Sequence, residues 1–120
     1  MSLVLEVDLA SGVPPYEQIR TQIVAHASAG RLRIGDRLPT IRALATDLGV
    51  APGTVARAYR ELELTGVVST RRRTGTVVGA GAPVVDVELT AVVRTFVERA
   101  RAAGLADPAI LDLVRGNLLA

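Results

Sequence analysis

Cysteine, tryptophan and lysine are all missing from this 120-residue chain, and there is a single histidine. Without cysteine there is no disulfide, no thiolate zinc ligand and no thiol nucleophile. Without lysine no Schiff base can form. His26 has no second imidazole to share a metal with, and Ser2, Ser11, Ser28 and Ser69 have no neighbouring histidine to activate them. With no nucleophile–base pair and no ligand cluster in view, the chain is expected not to be an enzyme and to need no cofactor. Aromatic residues are almost as scarce, two tyrosines and one phenylalanine, although 49% of the chain is hydrophobic. The core must therefore be built from Val, Leu, Ile and Ala. Gly and Pro break every apolar run well short of a membrane span. No basic start leads into an apolar block and a small-residue cleavage site, as a secretion signal requires. A cytoplasmic protein with no membrane partner is the expectation.

Charge is present but unevenly placed. The formal net charge is only +2, yet the stretch from Arg31 to Arg73 holds nine arginines against Asp36, Asp47, Glu61 and Glu63. From residue 81 onward four arginines face five acids. One part of the chain is therefore fitted to meet a polyanion and the other is not.

The order of elements follows from apolar spacing and from Pro and Gly. LVLEV at 3–7 reads as a short strand. After Pro14-Pro15 a helix from about Tyr16 carries Ile19, Ile23 and Ala27 on one face and stops at Gly30. A second helix begins after Pro39 with Thr40 as its N-cap; Ile41, Leu44, Ala45 and Leu48 form its stripe, and Gly49 ends it. The third starts within three residues, with Pro52 at its first position, and buries Val55, Ala58, Tyr59 and Leu62. Gly53, Thr54, Arg57 and Arg60 fall on its opposite side. VVST and TVV then flank RRRTG, a hairpin with a cationic tip. GAGAP at 79–83 has linker composition. Two more helices follow, one from about Glu88 to Ala103 and one opened by Asp107 as N-cap with Pro108 behind it.

Helix, short turn, helix and basic hairpin make up a winged helix-turn-helix. The third helix is shaped to enter a major groove, where side-chain donors reach base edges, and the wing brings cations to phosphates or to the minor groove. Arg71, Arg72 and Arg73 repel one another, a cost that a polyanion relieves; the plain alternative is a solvated turn. A winged helix that docks a protein instead would show an apolar or acidic wing, so the basic tip together with Arg42, Arg57 and Arg60 favours DNA. Arg57 has its own plain alternative, an intrahelical pair with Glu61. Tyr16 and Tyr59 are expected in the core, and His26 in a structural or exposed position.

The run PPYEQIRTQI…GRLRIGDRLPTIRALATDLGVAPGTVARAYRELELTGVVSTRRRTGTVV resembles the DNA-binding domain of the GntR family of regulators, and most of all its short YtrA-type members. The resemblance covers Pro15 to Val78. It implies a phosphate contact from Arg42 and a DNA contact from Thr54, at the start of the recognition helix. Pro52 and Ala56 stand where the best-studied branch has arginines, so those contacts are not inherited, and Arg57 and Arg60 become the candidates to replace them. The family's wing carries a basic residue beside a glycine, here Arg71-Arg72-Arg73-Thr74-Gly75. The DNA-contacting set is thus Arg42, Gly53, Thr54, Arg57, Arg60, Arg71, Arg72, Arg73 and Thr74. The resemblance also implies a regulator, expected to be a repressor, and leaves a small-molecule effector open.

The last two helices carry an apolar face too wide to bury within one hairpin. Leu89, Val92, Val93, Phe96, Val97, Ala100, Ile110, Leu111, Val114 and Leu118 are expected to pair with the same residues of a second chain. The expected protein is mainly α with a small β-wing: an N-terminal winged helix-turn-helix over 1–78, a linker over 79–87, and a helical dimerisation hairpin over 88–120. It would act as a homodimer on a palindromic double-stranded DNA operator.

Overall fold

In the computed structural model, which describes residues 3–73, 75–83 and 86–119, the Pro14-Pro15 pair opens the first helix. α1 runs Pro15–Ser28, α2 Ile41–Leu48 and α3 Pro52–Leu64. Each start has a local cause. Pro15 and Pro52 occupy first-turn positions where a missing N–H costs nothing. The Thr40 hydroxyl accepts a hydrogen bond from Ala43 N–H at 3.1 Å. The turn between α2 and α3 is set by Gly49, whose φ of +68° lets Val50 N–H reach back to Ala45 O at 3.1 Å.

α3 packs against both α1 and α2. Between them lies a core of Ile19, Ile23, Leu44, Val55, Ala58 and Leu62, all almost wholly buried. Two short strands follow, β1 Val68–Arg71 and β2 Gly75–Val78, antiparallel with Val68 opposite Val78 and Arg71 opposite Gly75. A single bridge from Arg37 to Val77 adds the segment before α2 to the edge of this ribbon, supported by Leu38 N–H donating to Thr76 O at 2.9 Å. The wing is thereby anchored to the helical core at its base.

The strand expected at 3–7 does not form. Two glutamines of α1 take the place of a strand partner. Glu6 N–H donates to Gln22 Oε1 at 3.0 Å, and Gln22 Nε2 returns a bond to Glu6 O at 2.6 Å. Gln18 treats Asp8 the same way, at 2.8 and 2.9 Å. A carboxamide offers one acceptor and two donors side by side, much as a peptide edge does. His26 Nε2 meets Val4 O at 2.8 Å, which gives the lone histidine a structural task. Leu5 is buried against the core by this arrangement.

The chain divides into two compact units, Met1–Val85 and Asp86–Ala120. The expected 79–87 linker is shorter than its composition suggests. Gly79 N–H donates to Val67 O at 2.8 Å, Gly81 N–H to Gly66 O at 2.9 Å, and Ala82 belongs to the first unit's core. At its other end α4 already begins at Val87. The glycines are required by proximity: a Cβ on Gly81 would sit 2.7 Å from Thr65 O and 2.8 Å from Gly66 C, both backbone atoms. Gly81→Ala is therefore expected to destabilise the first unit by about 1–3 kcal/mol, an overpacking cost. Thermal melting should show a loss of about 4–8 °C per kcal/mol for a domain of this size; an unchanged melting temperature would mean that the two backbones are not in close contact.

The second unit is a helical hairpin, α4 Val87–Ala102 and α5 Asp107–Leu118. The Asp86 carboxylate caps α4 by accepting from Leu89 N–H at 2.9 Å. Asp107 is not the N-cap expected of it. Ala106 holds that place without a side-chain bond, and the Asp107 carboxylate pairs instead with Arg101 at 3.3 Å. With Pro108 next, Asp107 sits inside the first turn, where a negative charge still favours the helix dipole.

Candidate nucleic-acid interface

The face of α3 that carries the expected contacts is set by what its other face buries. Val55, Ala58, Tyr59 and Leu62 are inside, so Gly53, Arg57 and Arg60 are exposed and Thr54 is half-buried. Tyr59 fixes the angle of the helix further. Its hydroxyl donates to Pro39 O at 2.7 Å, tying α3 to the residue before the α2 cap, and burial pushes the phenol's pKa well up, so it stays a neutral donor.

Arg42 projects from the first turn of α2 and is exposed. Neither Arg42 nor Arg60 takes part in an ion pair among the described residues. The nearby Asp36 carboxylate accepts from Arg33 N–H at 2.8 Å, and neither Asp36 nor Asp47 pairs with Arg42 among the described residues. At the wing, Arg71, Arg72 and Arg73 are all exposed. Arg71 closes β1 opposite Gly75, with Arg72 and Arg73 in the turn beyond it. Thr74, also expected at this tip, lies outside the described residues. Arg42, Arg60 and the three wing arginines thus offer exposed guanidinium groups with no ion pair among the described residues, the side chain best matched to phosphate oxygens.

Arg57 differs from them. Its guanidinium carbon stands 3.8 Å from the centroid of the Tyr16 ring on α1, and its Nε is 3.9 Å from the Glu61 carboxylate. The side chain is still 55% exposed. Beside it Glu17 is taken by Arg20, which donates through Nε at 3.0 Å and through a second guanidinium nitrogen. That hydrogen bond holds the Glu17 carboxyl below the ordinary carboxylate range, and Arg57 adds to the effect. Tyr16 is packed on the core as expected, but its support of Arg57 was not legible from the sequence. No spacing rule links a residue at the start of α1 to one in the middle of α3.

In the second unit the residues expected at a dimer interface divide in two. Ala100 and Ile110 are buried within the hairpin itself. Leu89, Val92, Val93, Leu111, Val114 and Leu118 are exposed, and Phe96 and Val97 are half-buried. A groove of about 650 Å³ runs between the helices, lined by Val92, Thr95, Phe96, Arg99, Leu105 and Leu113, among others. Leu113 and Leu105 were missed by the sequence reading; Leu113 stands one turn from Ile110, and that spacing was the available signal.

Among the described residues no three His, Cys, Asp or Glu side chains gather to hold a metal ion, and no helix is long and apolar enough to cross a membrane.

Comparison with known proteins places this arrangement. The model of a family described as bacterial regulatory proteins, gntR family, matches residues 15–78. The chain is 48% identical over 101 residues to the HTH-type transcriptional regulator Rv1152 of Mycobacterium tuberculosis, covering 84% of this chain and 83% of that protein. It is 39% identical over 84 residues to the HTH-type transcriptional repressor YtrA of Bacillus subtilis, covering 70% and 65% respectively. Among solved structures it is similar to YtrA from Sulfolobus acidocaldarius, a GntR-family transcription factor, with a TM-score of 0.61, 35% identity, and coverage of 83% of this chain and 99% of that one. All three are named as regulators of transcription, not as enzymes.

Proposed function

The chain belongs to the gntR family of bacterial regulatory proteins, as a DNA-binding transcriptional regulator of the YtrA type, and on that premise we propose that it is a repressor that binds a palindromic operator as a homodimer. The observation that carries the DNA geometry is the set of exposed arginines. Arg42 at the start of α2 and Arg71, Arg72 and Arg73 at the wing are exposed, which supports phosphate contacts from them with the polar side of α3 in the major groove. The exposed apolar face of the α4–α5 hairpin supports the homodimer, because a two-fold pair of hairpins would bury it. A dimer reads two half-sites related by the same two-fold, hence a palindrome. Repression is supported by the name of the Bacillus subtilis relative.

Sequence is read through Arg57. Pro52, Gly53 and Ala56 carry no donors, so Arg57 is the one long donor in the first half of α3, and a guanidinium edge matches guanine O6 and N7. Selecting sites from random DNA with wild type and Arg57→Ala side by side tests this. Loss of about 1–3 kcal/mol on the best site, with relaxed preference at one symmetric pair of positions, is expected for a base contact. Uniform weakening on all sequences would make Arg57 a phosphate ligand. An unchanged motif and affinity would leave it only its contacts with Glu61 and the Tyr16 ring.

A further inference from the structure

We propose that Tyr16 is a positioning residue for sequence readout: its ring holds the Arg57 guanidinium in the orientation that meets a base edge. The inference rests on the reading of Arg57 as the base-contacting residue. The guanidinium carbon is 3.8 Å from the ring centroid, a distance at which the cation feels the negative face of the ring. Stacking consumes a face of the guanidinium, whereas bidentate readout uses an edge, so both operate at once. Glu61 lies at the Nε side at 3.9 Å, and the terminal nitrogens enter no ion pair among the described residues. Glu17, the neighbour of Tyr16, is hydrogen-bonded by Arg20 and forms no ion pair with Arg57 among the described residues. Tyr16 itself is fixed: Pro15 opens α1 just before it, and the ring is partly buried against the core. A long side chain with several free torsions is thereby ordered before DNA arrives, which lowers the entropic cost of binding.

The test compares sites selected by wild type, Tyr16→Phe, Tyr16→Leu, Tyr16→Met and Arg57→Ala in the 120-residue chain, each checked for folding by its melting temperature. Tyr16→Phe keeps the ring face and should recover the wild-type motif with the same information at every position. Tyr16→Leu and Tyr16→Met remove the ring and should weaken the best site by about threefold to fivefold per half-site, the scale of an exposed cation–π contact. They should relax preference at the same symmetric pair of positions as Arg57→Ala. Combined with Arg57→Ala, Tyr16→Leu should cost nothing further. A folded Tyr16→Leu or Tyr16→Met protein with undiminished preference at that pair overturns the proposal while leaving Arg57 as reader. So does a Tyr16→Phe protein that behaves like Tyr16→Leu, since the hydroxyl would then be the active group. An Arg57→Ala protein that selects the wild-type motif removes the reading beneath both.

Discussion

Phe96→Asp is expected to convert the proposed homodimer to a monomer. Phe96 lines the groove of the helical hairpin between Val92 and Leu113, and the flanking Leu89, Val93 and Val114 are exposed in the single chain. If two hairpins close on one another, the new carboxylate must either be buried without a partner, at a cost of several kcal/mol, or hold the surfaces apart. The winged unit has its own core, so it should remain folded with an unchanged melting transition. Operator affinity should fall about 10²-fold or more, because the second half-site no longer arrives tethered to the first. Sedimentation at micromolar concentration checks the assembly, and titration of a palindromic site checks the affinity. Wild-type protein that sediments as a monomer would remove the homodimer from the proposed function. A mutant that stays dimeric would move the interface elsewhere on the chain.

Replacing Arg71, Arg72 and Arg73 together with Ala should flatten the salt dependence of DNA binding more than any other change in the winged unit. The three side chains are exposed at the end of a ribbon, and none is held by an ion pair among the described residues. Every phosphate that loses its arginine should lower the magnitude of the log–log salt slope by roughly 0.9, and by about twice that when both halves of a dimer are affected. Specific and nonspecific DNA should weaken to a similar degree, because phosphates carry no sequence. Affinities measured across a salt series on cognate and random duplexes give both quantities. An unchanged slope would make the tip a solvated turn. Relaxed base preference would put part of the wing in a groove, where width and sequence are read.

The wing and α3 are legible in the sequence because their signals are local. Thr40 before Ile41, Pro52 at a first turn and Gly49 between two stripes act through the backbone within a few residues. The spacing of Val55, Ala58, Tyr59 and Leu62 states which face of α3 goes inside. Once that face is known, the outward position of Gly53, Arg57 and Arg60 follows from the helical period alone. The same holds for the apolar stripe of α4, where Leu89, Val92, Val93 and Phe96 share one side.

The failures share a cause as well. LVLEV has strand composition, but a strand exists only if another backbone edge is available, and here Gln18 and Gln22 of α1 supply side-chain amides in its stead. GAGAP has linker composition, yet its glycines let one backbone approach another at Gly66. Asp107 has the chemistry of an N-cap, yet the cap falls one residue earlier and its carboxylate turns to Arg101. The helical period, Pro and Gly were enough to determine the order of the five helices and the wing, the buried stripes of α1 and α3 and the cationic face, because each depends on neighbours in the chain. Whether the first residues formed a strand, where the winged unit ended and how Arg57 was held were decided by tertiary packing. Each required groups far apart in sequence to meet, and no pattern within a single segment encodes which distant surface it will face.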